Sequence, residues 1–274
     1  MTSSRATIMR FVFLLLFGIV MVAPFWYMVV VSLEPNTASL TYPPHLWPQH
    51  PSFDNYVSTW NTGGFAGSFM RSVIVSVAST VLGTAAACMF SYVVARYRFF
   101  GRNLLFYVLV GSMMIPTMTF LLPQFDLMKS LHLLNSLPGL ILIYAAGTVP
   151  FTVFLMKGFF EEIPHEIEDA VSIDGGGRWT MFLRIALPLS APILVTVLIF
   201  NFMGGWEEFV MALTFLNNPD KFTMPIALMF FQSEHGTQWG EFFAAAVYQT
   251  LPLIVMFIIF QRRIVGVMGS AVKG

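Results

Sequence analysis

The sequence predicts an all-α membrane protein of six spans. Three observations carry that expectation: 57% of its 274 residues are hydrophobic, only 10% are charged, and the apolar residues gather into six long runs. A soluble domain carries about a quarter of its residues charged, so this chain cannot cover a water-facing surface of ordinary size. That excludes a soluble globular enzyme. A bilayer core of about 30 Å asks for about 20 helical residues per crossing, and runs of that order lie at 8–33, 68–95, 103–122, 138–157, 188–210 and 242–260. The 14 Lys and Arg balance 14 Asp and Glu, leaving no bulk basic field to recruit nucleic acid. The single cysteine, Cys88, cannot form an internal disulfide and reads as a small packed hydrophobe within the second run.

The first run follows Arg5 and Arg10 as a signal peptide would, but 11–33 exceeds the usual signal core and no small-x-small site precedes a polar segment. It is expected to stay as a span. With the amino terminus inside, the inner segments hold eleven cations: Arg5, Arg10, Arg96, Arg98, Arg102, Lys157, Arg178, Arg184, Arg262, Arg263 and Lys273. Only Arg71, Lys129 and Lys221 are left outside. Cations in short loops are retained on the cytoplasmic face, so both termini are expected there, with external loops at 34–67, 123–137 and 211–241. The 34–67 segment has no Lys or Arg and carries prolines at 35, 43, 44, 48 and 51, which predicts an irregular, partly extended loop. Prolines 24, 116, 150, 192 and 252 fall within spans, where neighbouring helices can satisfy the freed carbonyls and kinks result.

The informative segment is the inner one at 158–187. It holds six acids, Glu161, Glu162, Glu166, Glu168, Asp169 and Asp174, followed by Gly175, Gly176, Gly177, Arg178 and Trp179. Pro164 suits a first helical turn, acids crowd the positive end of that helix, and the glycines stop it. Residues 178–186 restart a second short helix before Pro188. Two short helices joined by a glycine corner make a stiff, protruding knob. Lys-Ser/Thr does not follow the glycines and no Walker A pattern occurs anywhere, so the chain is not expected to bind or hydrolyse ATP itself.

In the fifth run an acid at mid-membrane would cost about 2.5–3.5 kcal/mol, which places Glu207 and Glu208 near an end or against protein. Helical spacing puts Asn201, Gly205 and Glu208 on one stripe, with Glu207 about 100° away. Two readings of the stripe stand: hydrogen bonding between helices, or solute contact and gating. His45, His50, His132, His165 and His235 are scattered without ligand spacing, so no metal site is expected. No catalytic constellation is visible, since Ser and Thr lack a paired base.

The 158–187 segment resembles the inner loop of permease subunits of binding-protein-dependent ABC importers. That loop reads Glu-Ala-Ala, three residues, Gly, nine residues, Ile-x-Leu-Pro. Here stand Asp169, Ala170 and Val171, then Gly175, then Ile185, Leu187 and Pro188, with Asp for Glu and Val for the second Ala. The chain is similar throughout to the second, shorter permease of the maltose-type carbohydrate branch. The matching pieces are Pro24-Phe25-Trp26, Ser32-Leu33, Phe53-Asp54-Asn55-Tyr56, Tyr92, Ala95-Arg96-Tyr97-Arg98-Phe99, Gly101-Arg102, Met114-Ile115-Pro116, Ile173-Asp174-Gly175, Gln261-Arg262-Arg263, Val265 and Ala271-Val272-Lys273-Gly274. Trp206-Glu207-Glu208-Phe209 stands where the family commonly reads Trp-Asn-Glu-Phe.

The resemblance implies a type I ABC importer permease fold over 1–274, in the cytoplasmic membrane of a prokaryote. It implies that Glu168, Asp169, Ala170, Asp174, Gly175, Ile185, Leu187 and Pro188 form a coupling knob docked on a cytoplasmic ATPase. Lys273 and Gly274 would reach the ATPase pair, while Asn201, Gly205 and Glu208 are the pathway or gating candidates. The implied partners are a second permease, two ATPase copies carrying ATP and Mg, and an extracytoplasmic solute-binding protein that delivers a sugar-like substrate. This chain itself is expected to bind no cofactor. A non-sugar solute (glycerol phosphate, an amino acid, a peptide) and an ATP-independent channel remain alternatives.

Overall fold

The computed structural model describes residues 4–35, 43–234 and 238–271. Among them the chain is helical, with no strand. The helices are α1 (Ser4–Ser32), α2 (Asp54–Asn61), α3 (Phe65–Arg96), α4 (Arg102–Gly111), α5 (Leu121–Ser130), α6 (Leu137–Glu162), α7 (His165–Ile173), α8 (Arg178–Thr180), α9 (Leu187–Leu189), α10 (Ala191–Glu207), α11 (Val210–Phe215), α12 (Met224–Glu234) and α13 (Trp239–Ala271). A π-helical turn, Met181–Ala186, joins α8 to α9. Four helical stretches are long and apolar enough to cross a membrane: Thr7–Ser32, Phe65–Arg96, Leu137–Glu162 and Trp239–Gln261. Two bent pairs raise the number to six if each is one crossing.

Those bends fall in the third and fifth runs read from the sequence, at two of the prolines expected to kink, and proline explains both. Arg102–Met114 and Thr117–Ser130 meet at 105°, across Ile115 and Pro116, both with extended ψ; the ring of a proline pushes the preceding residue out of the helical region. Arg178–Leu189 and Ala191–Glu207 meet at 79° around Ser190, between Pro188 and Pro192. Pro192 has no N–H to give the Pro188 carbonyl, so the ladder is interrupted there. Pro24, Pro150 and Pro252 instead lie inside unbroken helices.

Packing divides the chain into two compact units. The first holds Met1–Gly67 and Met224–Pro252. In it the segment expected to be irregular contains α2, which starts once the prolines end and where the Ser52 hydroxyl accepts the Asp54 amide at 3.0 Å. Asn55 donates to the carbonyls of Ser32 and Glu34 at 2.9 and 2.6 Å. Ser58 donates to buried Glu241 at 2.7 Å, which ties α2 to the start of α13.

The second unit holds Ser68–Thr223 and Leu253–Gly274. A Cβ at Gly83 would overlap Thr148 and the Ala145 carbonyl, so α3 and α6 approach closely, as small residues permit between membrane helices. Ser136 caps α6 by accepting from the Gly139 amide at 3.2 Å, which fixes where that helix starts. Cys88 and Tyr92 of α3, Met156 and Phe160 of α6, Met181 and Phe182 of the π-turn, Ala186 and Val197 form one buried cluster. Of the region expected as loop 211–241, α11 belongs to this unit and α12 to the first.

Candidate functional site

The knob is built on that cluster. α7 is amphipathic: Ile167 and Val171 pack against the buried cluster, while Glu166, Asp169, Ala170 and Ile173 are exposed. Ile173, at 85% exposure, is a large apolar side chain left on the surface. Adjacent acids therefore take opposite sides. The Glu168 carboxylate accepts from Arg96 Nε at 2.6 Å, whereas Asp169 and Asp174 are exposed. Arg96, whose side chain is 2% exposed, also donates from Nη1 to the Ile163 and Phe160 carbonyls at 2.8 and 3.2 Å. A guanidinium at the C-terminus of α6 satisfies carbonyls that the helix leaves unpaired and meets the negative end of its dipole. One buried side chain thus joins the end of α3, the end of α6 and α7.

The corner after α7 depends on glycine at two places. Gly175 has φ +78 and its amide donates to the Ser172 carbonyl at 3.1 Å. The Gly176 amide donates to the Val171 carbonyl at 2.8 Å, and a Cβ there would sit 2.6 Å from Val171 Cγ1. Beyond the corner, Ile185 and Leu187 pack on the buried cluster and Pro188 is exposed. The Gly175→Pro variant is expected to insert but lose uptake completely, since proline fixes φ near −65°. Uptake by membranes with normal levels of the variant checks this, and wild-type uptake would refute it.

The second constellation lies in the last helices of this unit. Asn201, buried on α10, donates to Thr84 Oγ1 of α3 at 2.9 Å and to Thr152 Oγ1 of α6 at 3.0 Å. Gly205 lies where a Cβ would be 3.4 Å from Ser79 Oγ and 3.6 Å from the Tyr144 ring. Glu208 does not continue that helical stripe. α10 ends at Glu207, and Glu208 is extended with φ −68 and ψ 125. Its carboxylate accepts the amides of Met211 and Ala212 at 2.8 and 2.9 Å, and the Tyr144 hydroxyl at 2.6 Å. A carboxylate at the start of a helix satisfies donors the helix leaves open, so a cap for α11 replaces the expected stripe position. Glu207 is exposed.

α13 continues past Arg262 and Arg263 to Ala271. Lys273 and Gly274 lie outside the described residues. Among the described residues no group of three or more His, Cys, Asp or Glu is placed to hold a metal ion. Arg96 and Tyr144 are the members that sequence reasoning passed over. Arg96 was legible as one cation among eleven and as part of a matching piece, with nothing to pair it with Glu168, and nothing in the spacing ties Tyr144 to Glu208.

Comparison with known proteins places this geometry in a family. The family profile described as binding-protein-dependent transport system inner membrane component matches residues 79–266. The diacetylchitobiose uptake system permease protein NgcG of Streptomyces coelicolor is 33% identical over 92% of this chain and 84% of its own length. The trehalose transport system permease protein SugB of Mycobacterium tuberculosis is 31% identical over the whole of both chains. A crystal structure of a bacterial ABC transporter involved in alginate import contains a chain of the same fold, with TM-score 0.83 over 96% of this chain and 98% of that one at 21% identity. The chain is a multi-pass membrane protein and belongs to the binding-protein-dependent transport system inner membrane component family.

Proposed function

We propose that this chain is one permease subunit of an ATP-driven importer, forming half of the pathway for a sugar delivered by an extracytoplasmic binding protein. The observation that carries this reading is the knob: a stiff amphipathic helix seated on the buried cluster by Arg96 and presenting Asp169, Ala170, Ile173 and Asp174 outward. In a family defined by binding-protein-dependent transport, such a knob docks on a cytoplasmic ATPase and moves with it as a rigid lever. Asp169 and Asp174 face the ATPase, Glu168 holds the knob in its seat, and Ile185, Leu187 and Pro188 carry the motion into α10. The Asn201–Thr84–Thr152 contact and the Glu208 joint hold the part of the bundle that opens and closes. Lys273 and Gly274, outside the described residues, are the tail positions that reach the ATPase pair in this reading. Relatives named for uptake of diacetylchitobiose and trehalose and for sulfoquinovosyl glycerol transport support a sugar cargo. The ATPase copies bind ATP and Mg; this chain does neither.

The reading requires six crossings with both termini in the cytoplasm of a prokaryotic cell. In a Cys88→Ala background, cysteines replacing His45 and Ser130 are expected to react with an impermeant thiol reagent applied outside, and those replacing Phe100 and Glu166 are not. Labelling at position 166 from outside would overturn the arrangement. In vesicles holding the assembled complex, sugar entry is expected only with ATP and the binding protein; entry without ATP would identify a channel.

A further inference from the structure

Between the end of α3 and the second short segment of the knob, after the glycine corner, lies an open cleft of about 510 Å³. Its walls are Met89 and Val93 of α3 and Phe182 of the π-turn, and its rim carries Arg98, Arg178 and Trp179. No acid lines it. Met89 and Val93 are 43% and 42% exposed, and Trp179 is 65% exposed. The Arg178 guanidinium lies over the Tyr97 ring, 4.9 Å from its centroid. Neither Arg98 nor Arg178 enters an ion pair among the described residues.

We infer that this cleft is a binding site for an anionic phospholipid, with the headgroup phosphate between Arg98 and Arg178 and an acyl chain along Met89, Val93 and Phe182. Three observations fix the occupant. The first is depth. α3 has 32 residues, about 48 Å at 1.5 Å per residue, against a hydrocarbon core of about 30 Å. The end of α3 therefore stands in the headgroup layer, with its Met89–Val93 turn reaching toward the acyl chains. The second is the pattern of polarity along the cleft, from apolar wall through Tyr97 and Trp179 to arginine, which is the order of a bilayer from its core to its surface. The third is charge. Arg98 and Arg178 make no ion pair among the described residues, and the nearby Glu168, which lines the adjoining pocket with Arg178, is held by Arg96. The positive rim is one that a phosphodiester complements with charge-assisted hydrogen bonds, and basic pockets between membrane helices on the cytoplasmic side take anionic headgroups. The contact with the Tyr97 ring also restrains the Arg178 guanidinium at the rim. The bound lipid touches the same short helix that follows the glycine corner, so it braces the knob against the membrane.

The inference needs α3 to cross the bilayer and is independent of the cargo. The test uses the complete transporter, permease pair with ATPases, purified from membranes and equilibrated with phosphatidylglycerol and phosphatidylcholine in equal amounts; retained lipid is counted by native mass spectrometry. Wild-type complex is expected to retain phosphatidylglycerol preferentially. Arg98→Gln and Arg178→Gln are each expected to weaken that retention about fivefold, the effect of one cation near an anionic surface. Arg184→Gln, a neighbouring exposed cation outside the cleft, is expected to leave it unchanged. Arg98→Lys and Arg178→Lys, which keep the charge, should hold most of the preference even if the glutamine variants assemble poorly. Equal retention of the two lipids, or a preference unchanged in the double glutamine variant, overturns the inference. Displacement of the lipid by excess inorganic phosphate would assign the cleft to a free anion instead, and loss of the ATPase with lipid retention intact would assign it to the protein partner. Normal ATP-driven uptake by the double variant in phosphatidylcholine vesicles would leave the transport reading standing whatever the lipid result.

Discussion

Replacing Arg96 by methionine is expected to abolish uptake and uncouple ATP hydrolysis from it, although the residue lies behind the surface proposed to meet the ATPase. Arg96 holds the Glu168 carboxylate and two carbonyls at the end of α6 with one buried guanidinium. Removing one partner of a buried ion pair costs about 3–5 kcal/mol because the other is left uncompensated. Part of that cost is reduced here, since Glu168 keeps 27% side-chain exposure and water can reach it. The carbonyls of Phe160 and Ile163 lose their donor as well. The knob then pivots on its apolar contacts alone, and a lever without a fixed seat transmits little. Arg96→Lys should rescue only in part, because an ammonium lacks the planar fork that serves three acceptors at once. Glu168→Gln should be milder, since its amide oxygen still accepts from Arg96. Asp169→Lys gives a useful contrast: it alters an exposed acid, so it should disturb ATPase docking while the permease's own melting temperature stays put. The measurement is sugar transported per ATP hydrolysed in reconstituted vesicles, alongside thermal melting of the complex. Normal stoichiometry for Arg96→Met would remove Arg96 from the lever.

Much of this arrangement can be read from the sequence because its causes are local. Apolar runs of bilayer length announce membrane helices, and a helix N-terminus crowded with acids and closed by glycines announces the knob. The prolines at 116 and 192 were visible as kink sites, yet the sequence does not say which prolines break a helix: Pro150 lies in a continuous α6 while Pro116 sits at a bend of 105°. The difference is tertiary, since neighbouring helices can shelter a freed carbonyl at one site and leave the chain free to turn at another. The division of labour between Glu168 and Asp169 was illegible for a similar reason. Adjacent residues on a helix point about 100° apart, but only the position of Arg96, 72 residues earlier, decides which acid turns inward. Glu208 was misplaced by extending helical periodicity one residue too far. Its carboxylate caps the next helix, and a side chain able to cap competes with continuation of the helix it follows.

Glu208 leads to the other large effect. Glu208→Leu is expected to destabilise the complex and eliminate uptake, whereas Glu208→Gln should retain most of both. The leucine variant strands three donors at once, the Tyr144 hydroxyl and the amides of Met211 and Ala212. Each buried donor left unsatisfied costs about 1–3 kcal/mol. Glutamine's single oxygen can keep the Ala212 amide and the Tyr144 hydroxyl, which share Oε2, while its NH₂ then faces the Met211 amide, so one donor is left open where leucine leaves three. Tyr144→Phe removes one partner and leaves the helix cap, so its effect should fall between those two. Glu207 is exposed at the end of α10, and Glu207→Gln should change little. The pair Tyr144→Phe and Glu208→Gln forms a double-mutant cycle that measures their coupling, because the two groups touch. Melting of the assembled transporter and initial uptake rates are the readouts. If Glu208→Leu and Glu208→Gln melt and transport alike, the α10–α11 joint does not depend on this carboxylate. If both melt normally but only the leucine variant fails to transport, the residue acts in the opening and closing of the pathway and not in holding the fold.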